Sequence, residues 1–422
     1  MDHYGESRLV KRLLAVVTMV AALVVFPASA GFGGKPAEGE VVLGGLFSLT
    51  GNWSTLGRNA QAAMEIAVED VNQYLEGNAA GIRFAAAIED TRLEPARALE
   101  QAKALHARGV RLLIGPQSSA EVEHLKPFVD GQAMLLVSPS STAARLALKD
   151  DNVFRFTLTD ELEGVAIAKL MWADGIRVMV PVWRDDAGNA GLEAATRKAF
   201  TDLGGIVLPG VKSGTVAQDF GATVGAVAAQ LNQAIGEHGV TQTAVYLAAF
   251  DEVVELFASA NQDATARSVR WYGSNGVARS DVLIGNPQAV EFAIHTGYPN
   301  PVFGLDEGAR DIWTEVQKRI RARTGLDPDA FAFAVYDAVW VVARGYVASG
   351  ATQDVERLKH AFMSAAATHY GATGWTVLDE AGDRRYGDFD FWAVRVVSGQ
   401  PAWTRAGRYE SRTERLLLQD PG

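Results

Sequence analysis

VRLLIGPQSSAEVEHLKPFVDGQAMLLVSPSSTAA fills residues 110–144 and holds two strand signals with a helix between them. VRLLIG (110–115) and AMLLVS (133–138) are short apolar runs without polar alternation, the pattern of strands covered on both faces. Ala120 to Gly131 reads as the connecting helix. Each run ends in a proline turn followed by hydroxyl residues. Ser118, Ser119 and Glu121 follow the first; Ser140, Ser141 and Thr142 follow the second. Both are read as strand-to-helix junctions. Parallel strands need a crossover of about this length, so a parallel sheet is expected.

The rhythm extends both ways. Upstream, 41–48 and 82–90 read as strands and 58–75 and 95–108 as helices, the first with Ala63, Ile66, Ala67, Val71 and Tyr74 along one face. Downstream, strands are expected at 176–183, 205–208, 243–249, 269–273 and 389–397. Helices are expected at 161–173, 190–203, 219–237, 251–261, 307–323, 329–348 and 353–369. Phe331, Phe333, Tyr336 and Trp340 read as core, and no role is legible in 405–422. The fold class is α/β, with parallel sheets covered on both faces and right-handed crossovers. Ligands bind such sheets beyond the carboxyl ends of the strands. The chain has 422 residues, more than one hydrophobic core supports, so two lobes are expected.

At the start, Arg8, Lys11 and Arg12 precede an uncharged apolar run from Leu13 to Phe26, and Ala28-Ser29-Ala30 supplies the small residues of a cleavage site. The run is shorter than the ~20 residues that span a bilayer. A cleaved signal peptide over 1–30 and a flexible leader over 31–40 are therefore expected. No later segment reads as long and apolar enough to cross a membrane. The net charge of −11 without a basic stripe disfavours nucleic acid and anionic membranes as partners. The absence of cysteine excludes disulfides, thiolate metal sites, cysteine nucleophiles and a cysteine-linked lipid anchor. An exported, unanchored protein is expected in a periplasm.

The chemistry rests on the turns. Hydroxyls and free N–H groups at a helix N-terminus favour an anion, and two such junctions side by side suit a carboxylate. Ser118 with Glu121 also matches a capping box, which needs no ligand. In WRDDAGNAGLE (183–193), Asp185 and Asp186 either meet a cation or face water. In YGSNGVARS (272–280), glycines flank Ser274 and Asn275, which permits close backbone approach to a ligand or makes a plain turn. The sequence has no G-x-S-x-G elbow, P-loop or H-E-x-x-H, and its seven histidines lack metal-ligand spacing. No catalytic residue, metal or cofactor is assigned. A carboxylate-pair enzyme and a ligand-sensing interaction protein stay open beside a transport receptor.

SLTGNWSTLGRNAQAAMEIAVEDVN (48–72), EDTRLEPARALEQAKAL (89–105), LLIGPQSS, LLVSPSST, VPVWRDDAGNAGL, WYGSNGVA and TGWTVLDEAGDR (373–384) come in an order that resembles the leucine/isoleucine/valine-binding proteins, the type I receptors of ATP-driven importers. The resemblance covers nearly all of the chain after residue 40. It implies two Rossmann-like lobes joined by three crossover strands, 41–157 with 297–388 and 158–296 with 389–410, and a tail over 411–422. It also implies a small polar ligand such as an amino acid, amide or short carboxylate, a membrane permease as partner, and a monomer. The family's carboxylate-binding serine falls on Ser119, its second-junction contacts on Ser140 and Thr142, and its apolar wall on Leu56 and Trp53. Three positions depart from the pattern. A covering aromatic falls on Gly188, a tyrosine on Phe250, and the acid facing an amino acid's ammonium on Asn275. Burying an ammonium without a counter-charge is costly, so the resemblance leaves that half of the site open, with Asp251, Asp185 and Asp186 as possible substitutes.

Overall fold

A computed structural model describes residues 39–76, 81–214 and 220–419. The expected signal peptide lies outside these residues, as does the leader up to residue 38. The first parallel sheet is built in sequence order by β1 (Glu40–Phe47), α1 (Ser54–Glu76), β2 (Arg83–Asp90), α2 (Pro95–Ala107), β3 (Leu112–Ile114), α3 (Ser119–Gly131), β4 (Leu135–Ser138) and β5 (Val153–Arg155). Its order is β2-β1-β3-β4-β5 and every pair is parallel. The residues of β3 and β4 are all buried, as the unbroken apolar runs predict. On α1, Ala63, Ile66, Ala67 and Val71 are buried. Tyr74 is 54% exposed and lies edge-on to Trp340, so the apolar stripe stops one turn short of the reading.

The second parallel sheet follows: α4 (Asp160–Ala173), β6 (Val178–Arg184), α5 (Ala187–Asp202), β7 (Ile206–Val207), β8 (Val211–Ser213), α6 (Phe220–His238), β9 (Thr243–Ala248), α7 (Val253–Ala260), α8 (Ala264–Ser268) and β10 (Arg270–Tyr272). The strand order is β10-β9-β6-β7, with β8 also on β6. Next come α9 (Asp281–Ile284), α10 (Pro287–Thr296), β11 (Asn300–Gly304), α11 (Arg310–Thr324), α12 (Ala330–Ala348) and α13 (Val355–Ala367). The short hairpin β12 (Tyr370–Gly371) and β13 (Gly374–Trp375) leads to β14 (Asp388–Val397), β15 (Gln400–Glu410) and β16 (Arg415–Leu418). These last three form an antiparallel sheet with β11. Residues 405–418, silent in the sequence, thus hold the second half of β15, the turn after it and the edge strand β16.

The chain runs from β5 into α4 beneath the second sheet and passes through β11 to α11–α13, whose buried faces share the first sheet's core. It then returns at β14, where Val394 joins the second sheet's core. Against expectation, α12 is apolar and long enough by composition to cross a membrane. Its apolarity has another cause, because Phe331, Phe333, Val335, Val339 and Val342 are buried against the surrounding elements. A helix apolar all round is a core helix when protein covers every side.

Candidate ligand-binding site

The carboxyl ends of the two parallel sheets face each other, and the turns singled out in the sequence lie on this seam. At the first junction Ser118 caps α3. Its hydroxyl accepts from the Glu121 N–H, and Glu121 accepts from the Ser118 N–H at 3.1 Å. The capping reading of Ser118 therefore holds. Ser119, the next residue, is 3% exposed, and its Oγ accepts from the N–H groups of Thr142 and Ala143, each at 3.1 Å, and from the Ser141 hydroxyl at 3.0 Å. Ser140 donates its hydroxyl to the Gln117 carbonyl at 2.9 Å. The two junctions are thereby stitched into one polar surface.

The second junction is not a helix start. After Pro139 the chain makes only a single 3₁₀ turn at Ala144–Leu146, and the next α-helix begins at Asp160. A turn that short has no useful macrodipole. Its donors are aimed instead by their neighbours: the Thr142 carbonyl accepts from the Asp160 N–H at 2.9 Å, and the Ala143 carbonyl from Arg155 Nη1 at 2.7 Å. Arg155 is itself held by a buried, two-pronged ion pair with Asp383.

Across the seam, Gly188 is in the first turn of α5, and a Cβ there would lie 3.6 Å from both Ser119 Cβ and Oγ. A Cβ at 188 would thus meet Ser119 in ordinary van der Waals contact, which places this position against the first junction. One turn later, a Cβ on Gly191 would stand 2.2 Å from Asp160 Oδ2. The small face of α5 thus lies directly on the first-sheet junctions. Of the two acids in this loop, Asp186 caps α5 through Asn189 and pairs with Arg184 at 2.7 Å. Asp185 pairs with Lys212 at 3.0 Å in an exposed position. Both have structural partners.

Trp53 and Phe250 meet across the seam with ring centroids 4.6 Å apart, and Leu56 is buried in the same apolar cluster. The Trp53 N–H donates to Asp251 Oδ2 at 2.7 Å and its indole N–H to the Gly276 carbonyl at 2.8 Å. Asn52 gives its side-chain amide to Glu252 at 2.7 Å and accepts from the Asp251 N–H at 3.0 Å. Asp251 is thus engaged by backbone and by Ser280, and burial raises its carboxyl above the ordinary range. Asn275 lies beside Gly276. Its N–H and its Nδ2 both donate to Glu163, at 3.0 and 2.7 Å.

Sequence reasoning did not single out Glu163. It sits with Asp160 at i, i+3 on the first turn of α4, where acids are common for dipole reasons alone. The legible signal was that both fall on a helix whose neighbours are apolar. Both are buried. Burial pushes Asp160 up to about 7 against the pull of Thr142 and Arg155, and it pushes Glu163 well above the carboxylate range. A cavity of about 650 Å³ opens at the edge of the seam, lined by Leu93, Ser118, Arg184, Asp186 and Phe250 among others. Ser119, Thr142 and Asn275 do not line it. Among the described residues no group of three His, Cys, Asp or Glu is disposed to hold a metal ion.

A protein of Methanocaldococcus jannaschii, MJ1266, itself uncharacterised, is 27% identical over 396 residues, covering 90% of this chain and 92% of its own. The crystal structure of the leucine-binding protein LivK from Thermotoga maritima superposes with a TM-score of 0.71 at 21% identity, covering 90% of this chain and 99% of that one. A solute-binding protein of an ABC transporter from R. palustris, solved with benzoate, gives 0.70 at 18% identity, covering 90% and 98%. These likenesses establish the type I periplasmic binding fold. The family model for the ligand-binding region of receptors matches residues 59–396, most of the chain, and the protein belongs to that family.

Proposed function

We propose that this chain is an extracytoplasmic receptor that closes on a small polar molecule and delivers it to an ATP-driven importer. The observation that carries the reading is the seam. Turns from the ends of both parallel sheets meet there through Trp53, Asn52, Asp251, Glu252 and Gly276. A ligand held between them touches both sides only when the seam is shut. Such a ligand shifts the population toward the closed form, and going from 1:99 to 99:1 takes roughly 5.5 kcal/mol of differential binding. The solved relatives, which include a leucine-binding protein and a benzoate complex, support a small organic ligand.

On this reading one lobe comprises about 41–157 with 297–388, and the other 158–296 with 389–410. The Thr142 and Ala143 N–H groups and the Ser141 hydroxyl converge on Ser119 Oγ. A carboxylate there would bring two oxygens and a charge to donors that now share one neutral oxygen, a stronger interaction. Trp53, Leu56 and Phe250 supply the apolar wall, and Ser140 braces the junction. A signal peptide cleaved near Ala30 would send the protein to the periplasm, where a permease of the inner membrane is its partner. Ser119→Ala combined with Thr142→Ala is expected to weaken binding at least tenfold (about 1.4 kcal/mol) in titration calorimetry. Unchanged affinity would move the anionic subsite elsewhere.

A further inference from the structure

Residues 50–53 join β1 to α1 and form a prong braced from its own side of the seam. Asp90, at the end of β2, accepts from the Leu49 N–H at 2.9 Å, from the Thr50 hydroxyl, and from the Arg92 N–H at 3.0 Å. The Ser48 hydroxyl donates to the Asn52 carbonyl at 2.7 Å, and the Trp53 carbonyl accepts from the Gly57 N–H of α1 at 3.2 Å. Trp53 is held at a φ of +66°, a left-handed conformation that a bulky residue adopts only where its surroundings impose it. The socket is assembled separately, at the ends of β6, β9 and β10. Ser280 donates its hydroxyl to Asp251 Oδ1 at 2.7 Å, Glu252 Oε1 accepts from the Phe250 N–H at 3.0 Å, and Arg184 stands 3.4 Å from Glu252 Oε2.

Prong and socket match donor to acceptor. Asp251 Oδ2 takes the Trp53 N–H and Glu252 Oε2 the Asn52 amide, while Asn52 Oδ1 takes the Asp251 N–H and the Gly276 carbonyl the Trp53 indole. Each of these bonds joins a turn of the first sheet to a turn of the second, so each is lost when the seam opens. Resting on the receptor reading, we infer that the prong is a latch: contacts within the chain hold the seam shut in part by themselves, and Asn52, Asp251 and Glu252 are positioning residues that set the balance between open and shut. Hydrogen bonds to carboxylates are the stronger kind, and the Trp53 N–H and the Asn52 amide both make one. Because each half is ordered before the two meet, little freedom is lost when they engage. A shut population therefore exists before any ligand arrives, and apparent affinity rises in proportion to it.

The test needs no ligand. The chain has no cysteine, so Glu100→Cys on α2 and Lys198→Cys on α5, both exposed, carry one spin label each, and the distance between the labels reads the seam. The protein is unfolded and refolded to strip carried ligand, then measured by pulsed dipolar spectroscopy. Without further change it is expected to show a short-distance population above about 10%. Asn52→Asp keeps the acceptor for the Asp251 N–H but sets a carboxylate against Glu252, and should lower the ratio of shut to open about tenfold or more. The double variant Asn52→Asp with Glu252→Gln exchanges donor and acceptor and should bring the short distance back. A merely structural role for Asn52 would lower stability without moving the distances and would not be rescued. Should Asn52→Asp fail to fold, Trp53→Phe removes the indole donor while keeping an aromatic ring, and should shift the balance the same way by less. A labelled protein found only at the long distance, or an Asn52→Asp variant with an unchanged distribution, overturns the latch. Either result leaves the receptor reading standing, since that reading is tested by ligand-dependent melting.

Discussion

Ser119 does two jobs at once, and its substitution therefore has two effects. Among the described residues, its oxygen is the only acceptor for the Thr142 and Ala143 N–H groups. Alanine there strands two buried donors, which costs about 1–3 kcal/mol of stability in addition to any loss of ligand. Binding to such variants is best read well below their melting temperature. Asp160 makes a separate prediction. Its carboxyl is raised to about 7 in the folded protein, from about 3.9 when unfolded, because burial disfavours the charge. The folded state thus binds the proton more tightly. The stabilisation from this group is complete below about pH 4 and is lost as pH rises through 7. Asp160→Asn should flatten the fall in stability across that window in denaturant titrations, and an unchanged pH profile would contradict the burial argument. Residue-scale chemistry was half legible. The serine and threonine positions announced themselves by following proline turns. Glu163 did not, because an acid at a helix start has an ordinary explanation that only its burial sets aside.

At the scale of elements, apolar runs of β-branched residues gave the parallel strands β1, β2, β6, β9 and β10 within a few residues. They missed β5, β8 and β11 and the short helices α8, α9 and α10, which are too brief for periodicity to register. β15 and β16 were missed for another reason. Their residues are mostly half-exposed, so no apolar pattern marks them. The second junction was misread as a helix start because serines after a proline look like a cap. What holds that turn in place is long-range: Arg155 at the end of β5, and Asp383, 228 residues further on. Arg155→Ala should destabilise the fold by roughly 3–5 kcal/mol, since it leaves a buried carboxylate alone. Arg155→Met with Asp383→Leu should cost less than either single change, in guanidinium unfolding. A single variant as stable as wild type would show that the pair is dispensable. Gly191 carries the complementary constraint on α5. Gly191→Ala puts a methyl into the Asp160 carboxylate, a clash between α4 and α5 of the same lobe, and should lower stability in guanidinium unfolding; an unchanged midpoint would contradict the close packing.

At the scale of the whole molecule, the alternation of strand and helix with a length beyond one core was enough to give two parallel sheets. The antiparallel sheet formed by β11, β14, β15 and β16 was not legible, because β11 pairs with a strand more than eighty residues further on. Trp53 is positioned to report closure, since it is 2% exposed and bridges to Asp251, Phe250 and Gly276. Trp271, packed among Phe257 and Phe292 within the second core, is not. Ligand binding should accordingly change fluorescence in wild type but not in Trp53→Phe. The central claim, that this is a receptor stabilised by a small polar ligand, is tested most directly by melting the refolded protein against amino acids, amides, and aliphatic and aromatic carboxylates. A ligand at 100 times its Kd adds about 2.7 kcal/mol to stability, so one chemical class should raise the melting temperature by several degrees. If no class moves it, the seam does not bind small molecules of this kind and the account fails.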